Sequence, residues 1–300
     1  MRPRIGTWVG LLASAMVLVA CAGSPAPSAS SPTPSAASSA PAASGYRLRA
    51  TTTQATPPLT RFDWLPLVAI TSDLQLVVPG PMIEIHPGPL LPNLQAKSVS
   101  AEGFQRIVDH ARTLGLLSGD GDLTPDTVAP GSTLGRVEIV VDGVRYDLTG
   151  DPSRIVRCGD MSCLPAPGTP EAFGSFWGVL SDMAWLNAEL GEQAPYVADA
   201  YAILVGVEPA ADPTIQPGFA TWPLETPVEA FGKPVGSTPT PRCGTARGAD
   251  AATLRPAFAA ANQLTRWGND GVAPGTGLFI EVRPMVPGED ICQELFGLSD

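Results

Sequence analysis

Apolar and polar residues follow several different rhythms along this chain, and the points where the rhythm changes mark its elements. An apolar run fills residues 5–20, and residues 22–44 are almost wholly Ala, Ser and Pro. From residue 61 the pattern is that of folded chain. "WLPLVAI" at 64–70, "LQLVV" at 74–78 and "MIEIH" at 82–86 are separated by Ser72-Asp73 and Pro79-Gly80. They predict a β-meander over 61–92, closed by Pro87, Pro89 and Pro92. Phe104, Ile107, Val108, Ala111 and Leu114 then recur at helical spacing behind Ser100. That predicts a helix capped by Ser100, with Glu102 in its first turn and Gly115 at its end.

"RVEIVV" and "VRYDLTG" flank Asp142-Gly143, a pair that tolerates positive φ, and so predict a hairpin with a type I′ turn. Thr169-Pro170-Glu171 opens a second helix expected to run to about residue 190, with Phe173, Phe176, Trp177, Leu180 and Ala184 on its apolar face. "AYAILVGV" at 200–207 reads as a strand. A third helix is expected from Asp250 to about Trp267, aligning Leu254, Phe258, Ala261 and Leu264. "GLFIEVRPMVP" at 277–287 returns as a strand. Strands–helix–hairpin–helix, then strand–helix–strand, is an α+β order: antiparallel sheet with three main helices packed on it. The pattern fits either one domain or two similar lobes, 59–192 and 193–300.

The N-terminus changes where such a fold would work. Arg2 and Arg4, the apolar run and Leu18-Val19-Ala20-Cys21 resemble the signal and lipobox of bacterial lipoproteins. The resemblance implies cleavage after residue 20 and lipidation of Cys21. The mature chain would then carry two or three acyl chains, enough to anchor it without a membrane span. Residues 21–58 would be the lipidated cysteine and a disordered Ala/Ser/Pro tether, since those residues bury too little to offset their ordering entropy. As a flexible coil, the 23 residues of 22–44 would hold the domain roughly 25–30 Å from the membrane.

Charge narrows the partners. Losing Arg2 and Arg4 from 18 basic and 29 acidic residues would move the net charge from −11 to −13. With only Lys97 and Lys233 as lysines and no basic cluster, a nucleic-acid partner is not expected. The expected partners are the membrane, through the anchor, and an envelope protein, polymer or solute. A second resemblance spans most of the globular part. "WPLETPV", "RCG" and "VRPMVPGEDIC" between 222 and 292, with "VVPGPMIEIHPGPLLPNL" at 77–94, resemble uncharacterised bacterial secreted proteins and lipoproteins. It implies domain extent and supplies no chemistry.

Five cysteines less Cys21 leave four, an even number suited to an oxidising compartment. Of three pairings, Cys158–Cys163 and Cys243–Cys292 is favoured, one local and one bracketing the last helix and strand. By loop entropy the long bridge contributes about 4 kcal/mol and the short one about 2. Zinc and thiol-redox readings of Cys158 and Cys163 lack partners, because the chain has two histidines and no C-x-x-C at a helix start.

No nucleophile elbow, H-E-x-x-H, S-x-x-K, P-loop or dinucleotide fingerprint is present, so no catalytic residue and no cofactor are assigned. His110 follows Asp109 on a helix, where their side chains diverge by about 100°. Glu281 and Glu289 are conceivable hydrolase acids, though Glu281 between Ile280 and Val282 reads more simply as a solvent-facing strand residue. Asp120, Asp122, Thr124 and Asp126 alternate in "GDGDLTPD" as a calcium candidate, without the glycine and terminal glutamate of an EF-hand. For ligand binding the candidates are His86 and Asn93 in the proline-rich segment, with Arg283 of the 283–287 segment. The function expected is a lipid-anchored, non-catalytic extracytoplasmic binding domain, with a carboxylate-dependent hydrolase of an envelope polymer as the alternative.

Overall fold

The computed structural model describes residues 45–53, 57–82, 84–119, 121–127, 132–156, 164–209, 215–238 and 241–298. They build two sheets. The first contains β1 (Tyr46–Thr53), β2 (Val68–Thr71), β3 (Gln75–Pro79), β4 (Leu94–Ser98), β5 (Gly121–Leu123), β6 (Leu134–Val141), β7 (Val144–Gly150) and β8 (Ala194–Pro195). Its order is β5-β7-β6-β1-β2-β3-β4-β8. The second contains β9 (Ala200–Val205), β10 (Phe219–Thr221), β11 (Lys233–Pro234), β12 (Arg242–Arg247), β13 (Arg266–Gly268) and β14 (Leu278–Pro284). There the order is β10-β13-β14-β9-β12-β11. Pairing is antiparallel except between β5 and β7 and between β10 and β13. Four α-helices occur among the described residues: α1 (Ala101–Thr113), α2 (Pro170–Ser181), α3 (Gly248–Ala259) and the short α4 (Ile291–Phe296). The class is α+β, as the pattern predicts. The two sheets differ in strand number and order, and the described residues all belong to one compact unit.

Local chemistry explains the elements that form as expected. The Ser100 hydroxyl accepts from the Gly103 amide at 3.0 Å, and Gly115 takes φ +68° where α1 ends. Phe104, Ile107, Val108 and Ala111 of α1 pack with Phe173 and Phe176 of α2 against Leu48, Ile70, Val137, Ile139 and Leu148 of the first sheet. Asp142 and Gly143, at φ +52° and +78°, join β6 to β7. On the second sheet, Ile203, Val205, Ile280 and Val282 pack with Leu254 and Phe258 of α3 and with Trp222 and Trp267.

Several expectations are corrected. The tether does not reach residue 58, because Tyr46–Thr53 is a central strand whose Leu48 and Ala50 are fully buried. The third strand of the meander is β4 and not "MIEIH", in which Glu84, Ile85 and His86 are exposed. Prolines on both sides keep that stretch out of the ladder. α2 stops at Ser181, where Asp182 turns its carboxylate to the Ala184 amide at 3.1 Å and starts a 3-10 segment, Met183–Glu189. α3 stops at Ala259. Beyond it the Ala261 carbonyl accepts from the Leu90 amide at 3.1 Å, and the Gln263 amide donates to the Gly88 carbonyl at 3.0 Å. Trp267 lies in β13 and not in that helix.

The sheets meet through the chain that follows β14. Phe62, Ala202, Leu204, Met285, Ile291 and the bonded Cys243 and Cys292 form a third core on the β9–β14 face opposite α3. Val286 continues it onto Ala69, Val77 and Leu94, which lie on the face of the first sheet turned away from α1 and α2. The Tyr196 hydroxyl donates to the Met285 carbonyl at 3.1 Å. Cys243–Cys292 spans 5.7 Å between Cα atoms and is the one disulfide among the described residues, where two were expected; Cys158 and Cys163 lie outside them.

Candidate functional site

Strand alternation decides what the outer face of the first sheet presents. Along β6, Val137 and Ile139 point to the helices, so Arg136 and Glu138 point away; along β7, Leu148 points in and Arg145, Asp147 and Thr149 point out. Register then aligns these residues in two adjoining rows. Ala69, Arg49, Glu138 and Asp147 lie directly across from one another, as do Thr51, Arg136, Thr149 and Asp122. In β1 the register shifts between Tyr46 and Leu48, which brings the Tyr46 ring onto this outer face, 5.1 Å from the Arg49 guanidinium.

The rows are tied together by ion pairs. Arg49 Nε donates to Glu138 Oε2 at 2.7 Å, and its Nη1 donates to Glu294 Oε1 at 3.0 Å. Glu138 also takes Arg145 and, at 3.2 Å, Arg136. Arg136 forks onto Asp147, Nε to Oδ1 at 2.8 Å and Nη2 to Oδ2. Burial grades along this lattice. Side-chain exposure is 5 % for Arg49, which α4 reaches through Glu294, and 1 % for Glu138, but 36 % for Arg136, 35 % for Arg145 and 30 % for Asp147. Arg49 of β1 and Glu138 of β6 are thus buried, while Arg136, Arg145 and Asp147 are partly exposed. On the partly exposed side the face opens into a depression of about 450 Å³ lined by Gly121, Asp122, Arg136, Asp147 and Thr149.

Electrostatics keep the lattice charged. Burial works to lower the Arg49 pKa, but the carboxylates of Glu138 and Glu294 outweigh it and raise it. The hydrogen bond to Asp147 raises that of Arg136. Burial pushes the Asp147 carboxyl up, and its bonds to Arg136 prevail and hold it below its ordinary value. Asp122 is held down by hydrogen bonds from Thr124. Tyr46 is raised by its own burial and then by Glu138. This arrangement fixes paired donors and acceptors in cross-strand positions on one face.

The residues singled out in the sequence are not gathered here. His86 is exposed in the proline-rich loop. Asn93 holds that loop shut, its Nδ2 donating to the Pro81 carbonyl at 2.8 Å while its Oδ1 accepts from Gln95. Arg283 is 5 % exposed and donates to Glu289 Oε1 at 2.7 Å, so it serves the interior rather than a surface shared with His86 and Asn93. Of the calcium candidates, Asp120 lies outside the described residues, Asp122 accepts from the Thr124 amide at 2.9 Å, and Asp126 is exposed. Among the described residues no group of three or more His, Cys, Asp or Glu is placed to hold a metal ion. Glu289 is locked by Arg283 and by the Val286 amide at 2.9 Å. Glu281 is half-buried on the Phe62 side of β14 and not solvent-facing; burial, and then Asp63, raise its carboxyl.

A second depression of about 310 Å³ lies over the Cys243–Cys292 bond, between Phe231, Gly244 and Leu298. Sequence reading missed Arg49, Arg136, Glu138 and Asp147. The only signal was charged residues alternating inside otherwise apolar strands. The chain matches no known protein family, no curated protein and no solved structure.

Proposed function

We propose that this chain is a lipid-anchored extracytoplasmic protein of a bacterial envelope whose globular part is a non-catalytic binding domain, with the outer face of β5, β7 and β6 as its contact surface. The observation carrying this reading is the open end of the ion lattice. Arg136, Arg145, Asp147 and Thr149 are held in fixed cross-strand positions, yet the first three remain about a third exposed and Thr149 is half-buried. Pre-oriented polar groups of this kind lower the ordering cost of binding. A carboxylate hydrolase would need two acids free to face each other in a cleft. Asp122 and Asp147 both line the first depression, but Asp147 is taken up by the Arg136 fork and Asp122 accepts from Thr124, while Glu289 is held by Arg283 and neither Glu281 nor Asp63 lines either depression.

The test is photo-crosslinking in intact cells, with the reactive group placed in the full chain at Asp122 or Thr149, and at exposed Gln105 on α1 as the control. A discrete envelope species captured from the first two positions and absent from the third is the expected result. Equal capture from all three, or capture from Gln105 alone, removes this face as the contact surface.

A further inference from the structure

The chemistry of that same face narrows its ligand, and this step rests on the binding-domain reading above. We infer that the depression on β5, β7 and β6 takes a neutral, polyhydroxylated ligand, a saccharide unit of an envelope glycan. Charge comes first. The lining holds one cation, Arg136, against the carboxylates of Asp122 and Asp147, and Arg136 is already matched by its fork onto Asp147 and by Glu138 at 3.2 Å. An anionic ligand approaching Arg136 meets three carboxylates, and a chain with net charge −11 repels it at longer range. A neutral ligand disturbs none of these pairs.

Hydrogen-bonding capacity comes second. Arg136 uses Nε and Nη2 in its ion pairs, while its Nη1 makes no hydrogen bond among the described residues and keeps two N–H donors. In the same row the Thr149 hydroxyl has no partner among the described residues, and Asp122 is an exposed acceptor whose hydrogen bonds come from Thr124 alone, its Oδ1 taking the amide. Acceptor, hydroxyl and donor thus stand on three successive strands about 4.8 Å apart. Vicinal hydroxyls both donate and accept, so one sugar ring can meet Asp122, Thr149 and Arg136 together without changing their protonation.

Rigidity comes third. The Asp147 fork and Glu138 fix the Arg136 guanidinium plane, and buried Arg49 fixes Glu138 in turn. The groups are thereby ordered before the ligand arrives. An open depression of this volume binds one unit weakly, in the millimolar range, and a repeating polymer would gain by avidity.

The full chain, extracted in detergent, is titrated with neutral oligomers of mannose, galactose, arabinose and N-acetylglucosamine. Galacturonate and glucosamine oligomers are the charged controls. The readouts are hydrogen exchange of residues 121–123, 134–141 and 144–150, and calorimetric affinity. One neutral series is expected to protect these strands saturably. Arg136→Lys, which keeps the charge and loses the fork, should weaken that binding roughly tenfold, and Thr149→Val roughly threefold. Should Arg136→Lys fail to fold, Thr149→Val decides alone. Protection by no neutral oligomer, preference for either charged control, or affinities unchanged in the variants would overturn the assignment. If crosslinks at Asp122 and Thr149 persist while no neutral saccharide binds, the contact surface stands and the saccharide falls. If both tests fail, both readings fall.

Discussion

Arg49 and Glu138 show how far one residue's role depends on distant chain. In sequence Arg49 sits in "YRLRATTT", inside the 21–58 stretch read as a tether, so it reads as exposed. In the fold it is 4 % exposed, a burial made tolerable by Glu138, 89 residues away, and Glu294, 245 away. His110 shows the opposite case, a polar residue whose burial is unmatched. Its ring centroid lies 6.1 Å from that of Phe176 and 6.3 Å from that of Trp185, and its Nε2 is buried with no partner among the described residues. Burial therefore lowers its pKa below the ordinary 6.5. The unfolded chain then takes up a proton at a higher pH than the folded one. Above about pH 6.5 His110 is neutral in both states and adds no pH dependence, and stability drains away as pH falls from there through the lower folded value. Melting curves between pH 7.5 and 5.0 should fall less steeply for His110→Leu than for the parent. Equal slopes would show that His110 titrates alike in both states.

At the scale of elements, the parts legible from sequence are those closed by local chemistry. α1 is written by Ser100, its apolar stripe and Gly115; the β6–β7 hairpin is written by Asp142-Gly143. Where tertiary bonds compete, the pattern misleads. Leu264 and Trp267 continue the α3 stripe, yet backbone 261–263 bonds to 88–90 instead, and Trp267 enters a strand to fill the aromatic core with Trp222 and Phe258. α4 was missed because six residues carry too little periodicity, and it is held from two sides. Cys292 bonds to Cys243 of β12, and Glu294 pairs with Arg49 of β1. Closing a loop of 49 residues is worth about 4 kcal/mol by chain entropy. The double variant Cys243→Ser, Cys292→Ser should lose stability of about that size in urea unfolding. Hydrogen exchange should quicken first over 291–298 and leave the β6–β7 hairpin protected. Uniform quickening would mean that α4 does not open as a separate unit.

For the whole molecule, the composition and the N-terminal pattern speak to place, and the fold speaks to surface. No helix among the described residues is long and apolar enough to cross a membrane. The proposed attachment is through Cys21. Cys21→Ser is expected to move the protein from the membrane pellet to the soluble fraction of lysed cells, and retention in the pellet would end the lipid-anchor proposal. The α+β class, the α1 and hairpin boundaries and the Cys243–Cys292 pairing follow from short stretches of sequence, because caps, turns and loop-bracketing cysteines act over a few residues or by simple count. The candidate site does not follow in that way. Its rows join β1, β5, β6 and β7 through register, and α4 reaches its buried end through Glu294 on Arg49. Which charges are buried together and which face water depends on strands that meet only after the chain has closed on itself, so that part was decided by tertiary structure alone.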